Sequence, residues 1–428
     1  MKWLLIFFLL IFCFYFFLFK DRVWFFNDDF DFLVGNLNFS SIYLFLPHNE
    51  HFIPIHKLLF HVMFSFFSLN FTPYFILSVC LHLLNLLILW FIIKRLTDNK
   101  FFAYLAVLLF SVKVTFFEVI LQNNFSALFC SLFMGVTFLF WLKLRQKPEI
   151  KYLLIIISSL FAAFLSFSVA LGYPLVLAFI SYFDKKSAEK IALIFLALEI
   201  VMICVYFYFN GGESFSLWPS FIQISLFLYT GLVEALTLRF LFPLFPTRFL
   251  GLNQVLMPFL IIVSFLFLGL IFILSSLKSK EKLFLKIVLL LNIIYPYVLM
   301  SLKRAGLSPK EALAERYAYI PLFFLVIFIV YQLSLLKPKK WYKTVYLIFI
   351  FYFLAAQSLV FYKRSYIFTK QMIINKKFFL QLKEKVKNNQ VEETCKIPKF
   401  ANGRQDPCSR YLKLFVSPDG FEPSASPM

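Results

Sequence analysis

Residues 72–93 read TPYFILSVCLHLLNLLILWFII and are followed at once by Lys94 and Arg95. The run holds no Asp, Glu, Lys or Arg. A helix rises about 1.5 Å per residue, so the run reaches across the roughly 30 Å hydrocarbon core of a bilayer. The basic pair that ends it is the usual mark of a cytoplasmic flank. Comparable apolar runs occupy residues 3–19, 101–117, 126–142, 152–167, 169–183, 191–209, 255–277, 283–301, 318–336 and 344–361. By length this predicts about eleven transmembrane helices in an all-α polytopic membrane protein.

Composition points the same way. The chain has 428 residues, 61% hydrophobic and 15% charged, with 64 Phe. Soluble domains are close to 25% charged, and no soluble core hides this much apolar surface without exposing large patches. A net charge of +20 in a soluble protein would suggest nucleic acid. Here the cations fall in short clusters between apolar runs, so the expected partner is the bilayer and not nucleic acid. Met1 and Lys2 before an apolar run could open a signal peptide. However, no small-residue cleavage site precedes Lys20-Asp21-Arg22, and an uncleaved first helix is expected. Cys13, Cys80, Cys130 and Cys204 lie in apolar runs and read as packing residues. Cys395 and Cys408 lie in the polar tail and could pair outside the cytoplasm.

The clusters Lys94/Arg95/Lys100, Lys143/Arg145/Lys147, Lys185/Lys186, Lys278/Lys280/Lys282 and Lys337/Lys339/Lys340 are placed inside by the positive-inside rule. Alternation then puts a long first loop, 20–71, on the outer side, with 118–125, 210–254, 302–317 and the tail after Lys363. The short fifth and sixth spans form a tight hairpin with both ends inside. The apolar stretch 221–247 carries Glu234 and Arg239 and ends in Pro243 and Pro246, so it reads as an interfacial or re-entrant helix. Residues 1–364 form the membrane domain. Residues 365–428 form an amphipathic helix and an irregular tail.

The outer segments hold the candidate chemistry. Asp28 and Asp29 are adjacent carboxylates just beyond the first span. Their repulsion favours a raised pKa in one of them, which suits a general base; a hydrated loop start is the plainer alternative. In an extended segment alternate side chains share a face, which would pair Asp29 with Asp31 and point Asp28 away. His48, Glu50, His51 and His56 lack the spacing of a helical zinc site, and no metal is expected. Arg316 beside Glu315 suits a phosphate contact or an interfacial ion pair. Glu118 sits near an outer helix end. Glu199 lies deeper and has no assigned role.

The order of these features resembles the C-type (GT-C) integral membrane glycosyltransferases, nearest to the protein O-mannosyltransferase and TMTC-like branch. Asp28-Asp29 stands where that family has an acidic pair after its first span. His48 to Ile55 stands where it has a His-x-x-x-x-Pro-Leu stretch. His82 and Asn85 lie in span two, where the family often has His and Asn. Phe117-Glu118-Val119 followed by Asn123-Asn124 resembles its Glu-Ala-Val stretch, with Asn in place of a later Arg. Leu313 to Pro321, LAERYAYIP, is similar to its Ala-Glu-Arg-x-x-Tyr-x-Pro. One departure is Ser166-Phe167-Ser168, where the family often has Ser-Lys-Glu; Arg239 or Arg304 is the candidate replacement cation. The resemblance implies transfer of a sugar from a polyprenyl-phosphate donor to an acceptor hydroxyl of a protein, lipid or glycan outside the cytoplasm. Inversion at the anomeric carbon would follow, with Asp28 or Asp29 as base. It implies a substrate-binding set of His48, Glu50, His51, Glu118, Arg304, Glu315, Arg316 and Tyr317, with Lys303 near the phosphate and no cofactor. A polysaccharide polymerase or ligase, a transporter or flippase, and a non-catalytic assembly subunit remain open alternatives. A bacterial inner or plasma membrane location is expected, with the N-terminus cytoplasmic and the C-terminus outside.

Overall fold

A computed structural model of the protein describes residues 2–25, 29–37, 39–48, 51–111, 116–183, 189–210, 219–238, 240, 280–335 and 340–387. Among the described residues the chain is all-helical, 87% helix with no strand. Among the described residues five helices are long and apolar enough to cross a membrane: Phe71–Thr97, Phe125–Leu144, Glu189–Phe209, Leu283–Arg304 and Arg316–Leu335. Five shorter apolar helices accompany them: Leu4–Phe19, Lys100–Ser111, Ile150–Ser166, Ser168–Phe183 and Phe221–Thr237. The expected span 255–277 lies outside the described residues. The expected span 344–361 lies within one continuous helix, Lys340–Lys387.

In chain order the helices are α1 (Lys2–Phe19), α2 (Asp29–Leu37), α3 (Ser41–Phe45), α4 (Pro54–Phe67), α5 (Phe71–Thr97), α6 (Lys100–Ser111), α7 (Phe116–Leu121), α8 (Phe125–Leu144), α9 (Ile150–Ser166) and α10 (Tyr173–Phe183). They continue as α11 (Glu189–Asn210), α12 (Phe221–Tyr229, running into a π-helical Thr230–Leu238), α13 (Lys280–Arg304), α14 (Glu315–Leu335) and α15 (Lys340–Lys387). Local chemistry sets the ends. The Asn70 side chain accepts the Thr72 N–H at 3.2 Å and caps α5. At its other end Lys94 and Arg95 meet the negative end of the helix dipole, and Asp98 closes the turn with φ of 50°. Asn124 caps α8 in the same way.

Buried residues run without a break along α14 from Tyr317 to Gln332. A helix apolar all round must be wrapped by others, and α5, α6, α8 and α13 do so. Gly135 of α8 permits the close approach: a Cβ there would lie 2.9 Å from Ile88 and 3.0 Å from Phe323. Some polar groups inside the bundle are tied across helices, where an unpaired one is costly in lipid. Asn85 donates to the carbonyls of Leu81 and Leu128 at 2.9 and 3.0 Å. Tyr15 donates to the Ser111 carbonyl at 2.8 Å, and His82 Nδ1 lies 2.8 Å from the Tyr319 hydroxyl.

The bundle has two chemically distinct ends. At one, Arg95 bonds Gln146, and the Arg145 guanidinium lies 5.1 Å from the Phe284 ring. At the other, Phe209 at the end of α11 packs on Phe45 and Phe52 of the first loop at 5.1 and 5.5 Å. α15 joins this second end: Phe361 packs on Tyr15 and Phe19, and Lys376 lies 5.1 Å from the Trp24 ring. The 364/365 boundary therefore falls inside a helix that lies along both α1 and the start of the first loop.

Glu199 has a definite place. Its carboxylate accepts the N–H of Gly172 at 3.2 Å and also that of Leu175. These are the orphan donors at the start of α10, reached through a turn in which Gly172 takes φ of +91°. A side chain on Gly172 would also strike Leu299, 2.8 Å away. α11 thus caps α10 from outside its own chain segment. Glu199→Ala is expected to cost about 1–3 kcal/mol, the penalty for stranding buried donors, whereas Glu199→Gln keeps an acceptor and most of the stability. Thermal unfolding in detergent checks this; equal midpoints for Glu199→Ala and the parent contradict it.

Candidate functional site

The site is built where four remote segments meet at the second end of the bundle. In the first loop, His48 and His51 pair through their backbones, N–H to carbonyl, at 2.9 and 3.0 Å. That turn lifts His51 just before Pro54 starts α4. α9 ends at Ser166, and a short 3-10 turn, Ser168–Ala170, leads to α10. α13 ends at Arg304, where a cation suits the negative end of a helix. The connection 305–314 folds back through a second 3-10 turn, Pro309–Leu313, before Glu315 starts α14.

His51 is the hub. Its Nε2 lies 3.3 Å from Arg304 Nη2 and 3.4 Å from the Tyr317 hydroxyl. Its Nδ1 lies 3.5 Å from Ser168 Oγ. A guanidinium can only donate, so Nε2 must accept, and the proton sits on Nδ1, facing Ser168. These partners favour a tautomer in which Nε2 accepts and Nδ1 faces Ser168. Arg304 also donates through Nη1 to Glu311 Oε2 at 3.1 Å. Tyr317 is the floor of the site. The guanidinium carbons of Arg304 and Arg316 each lie 5.1 Å from its ring centre, within cation–π range. Phe167 stacks parallel to Tyr317 at 6.5 Å and lies 4.9 Å from His51. Arg304 and Tyr317 are buried, at 7% and 2% exposure, so the charge is held in low-dielectric surroundings. Lys303 lies nearby over the Tyr206 ring at 4.4 Å.

The acidic end of the first loop is linked to this cluster through Phe32 and the His48–His51 turn. Asp29 and Asp31 fall in the first turn of α2, where a helix dipole favours carboxylates. The segment is helical and not extended, so residues two apart stand about 200° apart around the axis. The expected shared face for Asp29 and Asp31 is therefore corrected. Asp29 is buried at 3% exposure and acts electrostatically on Tyr74, whereas half-buried Asp31 acts on Tyr43. Phe32 of α2 packs against His48 and His56 at 4.6 and 4.4 Å, joining the acidic helix to the histidine turn. Lys57 ties α3 down: its Nζ donates to the Tyr43 carbonyl at 3.0 Å and to that of Leu46.

Of the residues expected from sequence, His51, Arg304, Arg316 and Tyr317 come together. His48 belongs to the same turn, but its ring packs on Phe32. Asp28 and Glu50 lie outside the described residues, as does Arg239. Glu118 lies on α7 and Glu315 starts α14, but their side chains lie outside the description. Asn123 and Asn124 have local duties: Asn123 turns the chain with φ of 50° and accepts from Ser78 at 3.2 Å, and Asn124 caps α8. Among the described residues no group of three or more His, Cys, Asp or Glu is arranged to hold a metal. Sequence reasoning missed Glu311 and Lys57, and singled out Ser168 only as part of a departure from the resembled family. Glu311 left one faint signal, a carboxylate seven residues beyond Arg304 in a short connection.

His56 is buried at 4% exposure among Phe32, Phe60 and Phe125, and neither ring nitrogen has a hydrogen-bond partner. Burial, then the nearby His48 and Lys57, push its pKa down from 6.5 to about 3. The unfolded chain takes up this proton near pH 6.5, and the folded one only near pH 3. The contribution to stability is therefore fully present above pH 6.5 and falls as the pH drops toward 3, by up to about 1.4 kcal/mol per unit. His56→Phe is expected to flatten the acid limb of a melting-temperature profile between those pH values. An unchanged difference between pH 7 and pH 4 contradicts this. Compared with known proteins, the chain matches no protein-family model and no curated protein, which leaves its own residues to carry the functional reading.

Proposed function

We propose that this protein is a GT-C-like multi-pass membrane glycosyltransferase that moves a sugar from a polyprenyl-phosphate donor to an acceptor hydroxyl outside the cytoplasm. The observation that carries the reading is the convergence of Arg304, Arg316 and His51 on Tyr317 at one end of an apolar bundle. A buried guanidinium, Arg304, beside a partly exposed one, Arg316, suits a phosphate whose tail stays in lipid. Arg304 stands beside the Ser166-Phe167-Ser168 turn, where the resembled family often carries Lys-Glu, so a cation still reaches that place. Asp29, with Asp28 next to it, would take the acceptor proton as the hydroxyl attacks the anomeric carbon. The bond from sugar to phosphate would break with inversion, and Arg304 and Arg316 would stabilise the charge on the departing lipid phosphate. His48, Glu50, Glu118 and Glu315 would complete the substrate-binding set. The phosphate is a good leaving group, so this mechanism needs no metal and no cofactor.

Topology agrees with this placement. The loops assigned outside by the basic clusters, 20–71 and 302–317, meet the 166–168 turn and the end of α11 at one end, while Arg95, Arg145 and Phe284 share the other. Between Phe209 and Phe284 the chain changes ends, which an odd number of crossings requires. The reading keeps about eleven spans as its expectation, to which the five long apolar helices among the described residues contribute. The reading places the N-terminus in the cytoplasm and the C-terminus outside a bacterial inner or plasma membrane. Membranes containing the protein, incubated with labelled polyprenyl-phosphate sugars, are expected to release free polyprenyl phosphate. No release above that of membranes lacking the protein, across hexosyl and pentosyl donors, contradicts the reading.

A further inference from the structure

We infer that Glu311 is a displaceable internal anion, holding the Arg304 socket in the absence of substrate and giving way to the phosphate of a lipid phosphate. The inference rests on the proposed donor class and adds to it how the site is kept and emptied. Three observations lead to it. First, the Arg304 side chain is only 8% exposed, whereas that of Glu311 is 32% exposed. The carboxylate thus covers the guanidinium from its more open side. Second, Arg304 spends one Nη on Glu311 Oε2 at 3.1 Å and the other on His51 Nε2 at 3.3 Å, and its face on the Tyr317 ring. A phosphate approaching the Nη1 side meets the carboxylate there and competes with it for the same N–H groups. Third, Glu311 is carried by a short 3-10 turn within the connection 305–314, where Leu307 is 71% exposed. The turn itself is packed, with Ala312 fully buried, so the exchange asks only that the partly exposed Glu311 side chain swing aside.

The physical logic is that a buried guanidinium without an anion is strongly unfavourable. A built-in carboxylate meets that need in the empty site. A phosphate offers more charge and more acceptor oxygens to the same fork, so it can win the exchange. When the product lipid phosphate must leave, Glu311 returns and competes with it. Removing the competitor should therefore tighten phosphate binding, although it deletes a side chain from the site.

The test uses the purified full chain in lipid nanodiscs, with farnesyl phosphate as probe and farnesol and inorganic phosphate as comparison arms. Glu311→Gln is expected to bind farnesyl phosphate about tenfold more tightly than the parent, the scale of one charged hydrogen bond freed from competition. Glu311→Asp, which withdraws the carboxylate by one methylene, is expected to show a smaller gain and serves if the Gln variant fails to fold. Arg304→Ala with Glu311→Gln is expected to lose the gain. Unchanged or weaker binding in both Glu311 variants overturns the inference, as does an equal gain for farnesol. Inorganic phosphate bound as tightly as farnesyl phosphate also overturns it, because the lipid source is then wrong. If the gain is found but polyprenyl-phosphate sugars still release no lipid phosphate, the glycosyltransferase reading fails while the exchange at Arg304 stands.

Discussion

Asp29→Asn is expected to lower turnover by about two to four orders of magnitude while leaving donor binding nearly unchanged, because general-base catalysis is worth about that much. Asn keeps the shape of Asp29 at a position with only 3% exposure. It forfeits a helix-dipole contact worth about 0.3–1 kcal/mol, so the variant should still fold. Asp31→Asn is expected to stay within severalfold of the parent, since Asp31 looks toward Tyr43 from another side of α2. Asp28→Asn tells which member of the acidic pair holds the base. Single-turnover transfer and donor binding, measured separately in matched membranes, check these outcomes. Parent-like turnover in both Asp28→Asn and Asp29→Asn removes the base from this loop.

Arg304→Ala is expected to lose about two to three orders of magnitude in transfer, the usual scale for deleting one group that stabilises transition-state charge. Its guanidinium touches His51, Glu311 and Tyr317 together. Arg304→Lys is expected to recover only part of the loss, since a point charge cannot repeat a forked contact across two partners. Accumulation in the membrane and elution as a single species from a sizing column separate lost chemistry from lost folding. Full transfer by Arg304→Ala returns the residue to a structural ion pair.

The helical bundle was legible because lipid imposes it: apolar runs with basic ends have few alternatives in a bilayer. Five of the expected spans stand as long apolar helices, and short runs such as Ile150–Ser166 are helices bounded where the sequence turns polar or small. The site was legible only in part. His51, Arg304, Arg316 and Tyr317 announce themselves as polar residues at span ends, but their mutual contacts depend on pairings more than 250 residues apart in the case of His51 and Arg304. No local pattern encodes such a contact. The α2 helix was missed because Asp-Phe-Asp alternates in a way that also suits an extended segment. What decides it is packing, with Phe32 and Leu33 buried against α4. Glu199 read as a costly charge within a span. Its purpose depends on the donors at the start of α10, two helices' worth of geometry that a single run does not reveal.

The most direct measurement is covalent mapping of the donor site. A polyprenyl-phosphate sugar carrying a photoreactive group next to the phosphate is bound to the protein in nanodiscs, irradiated, and the labelled peptides are identified. Labels are expected in the segments around His51 and from Arg304 to Tyr317, suppressed by excess polyprenyl phosphate and lost in Arg304→Ala. Labels confined to the end that carries Arg95 and Arg145, or labelling that excess polyprenyl phosphate leaves unchanged, would contradict it.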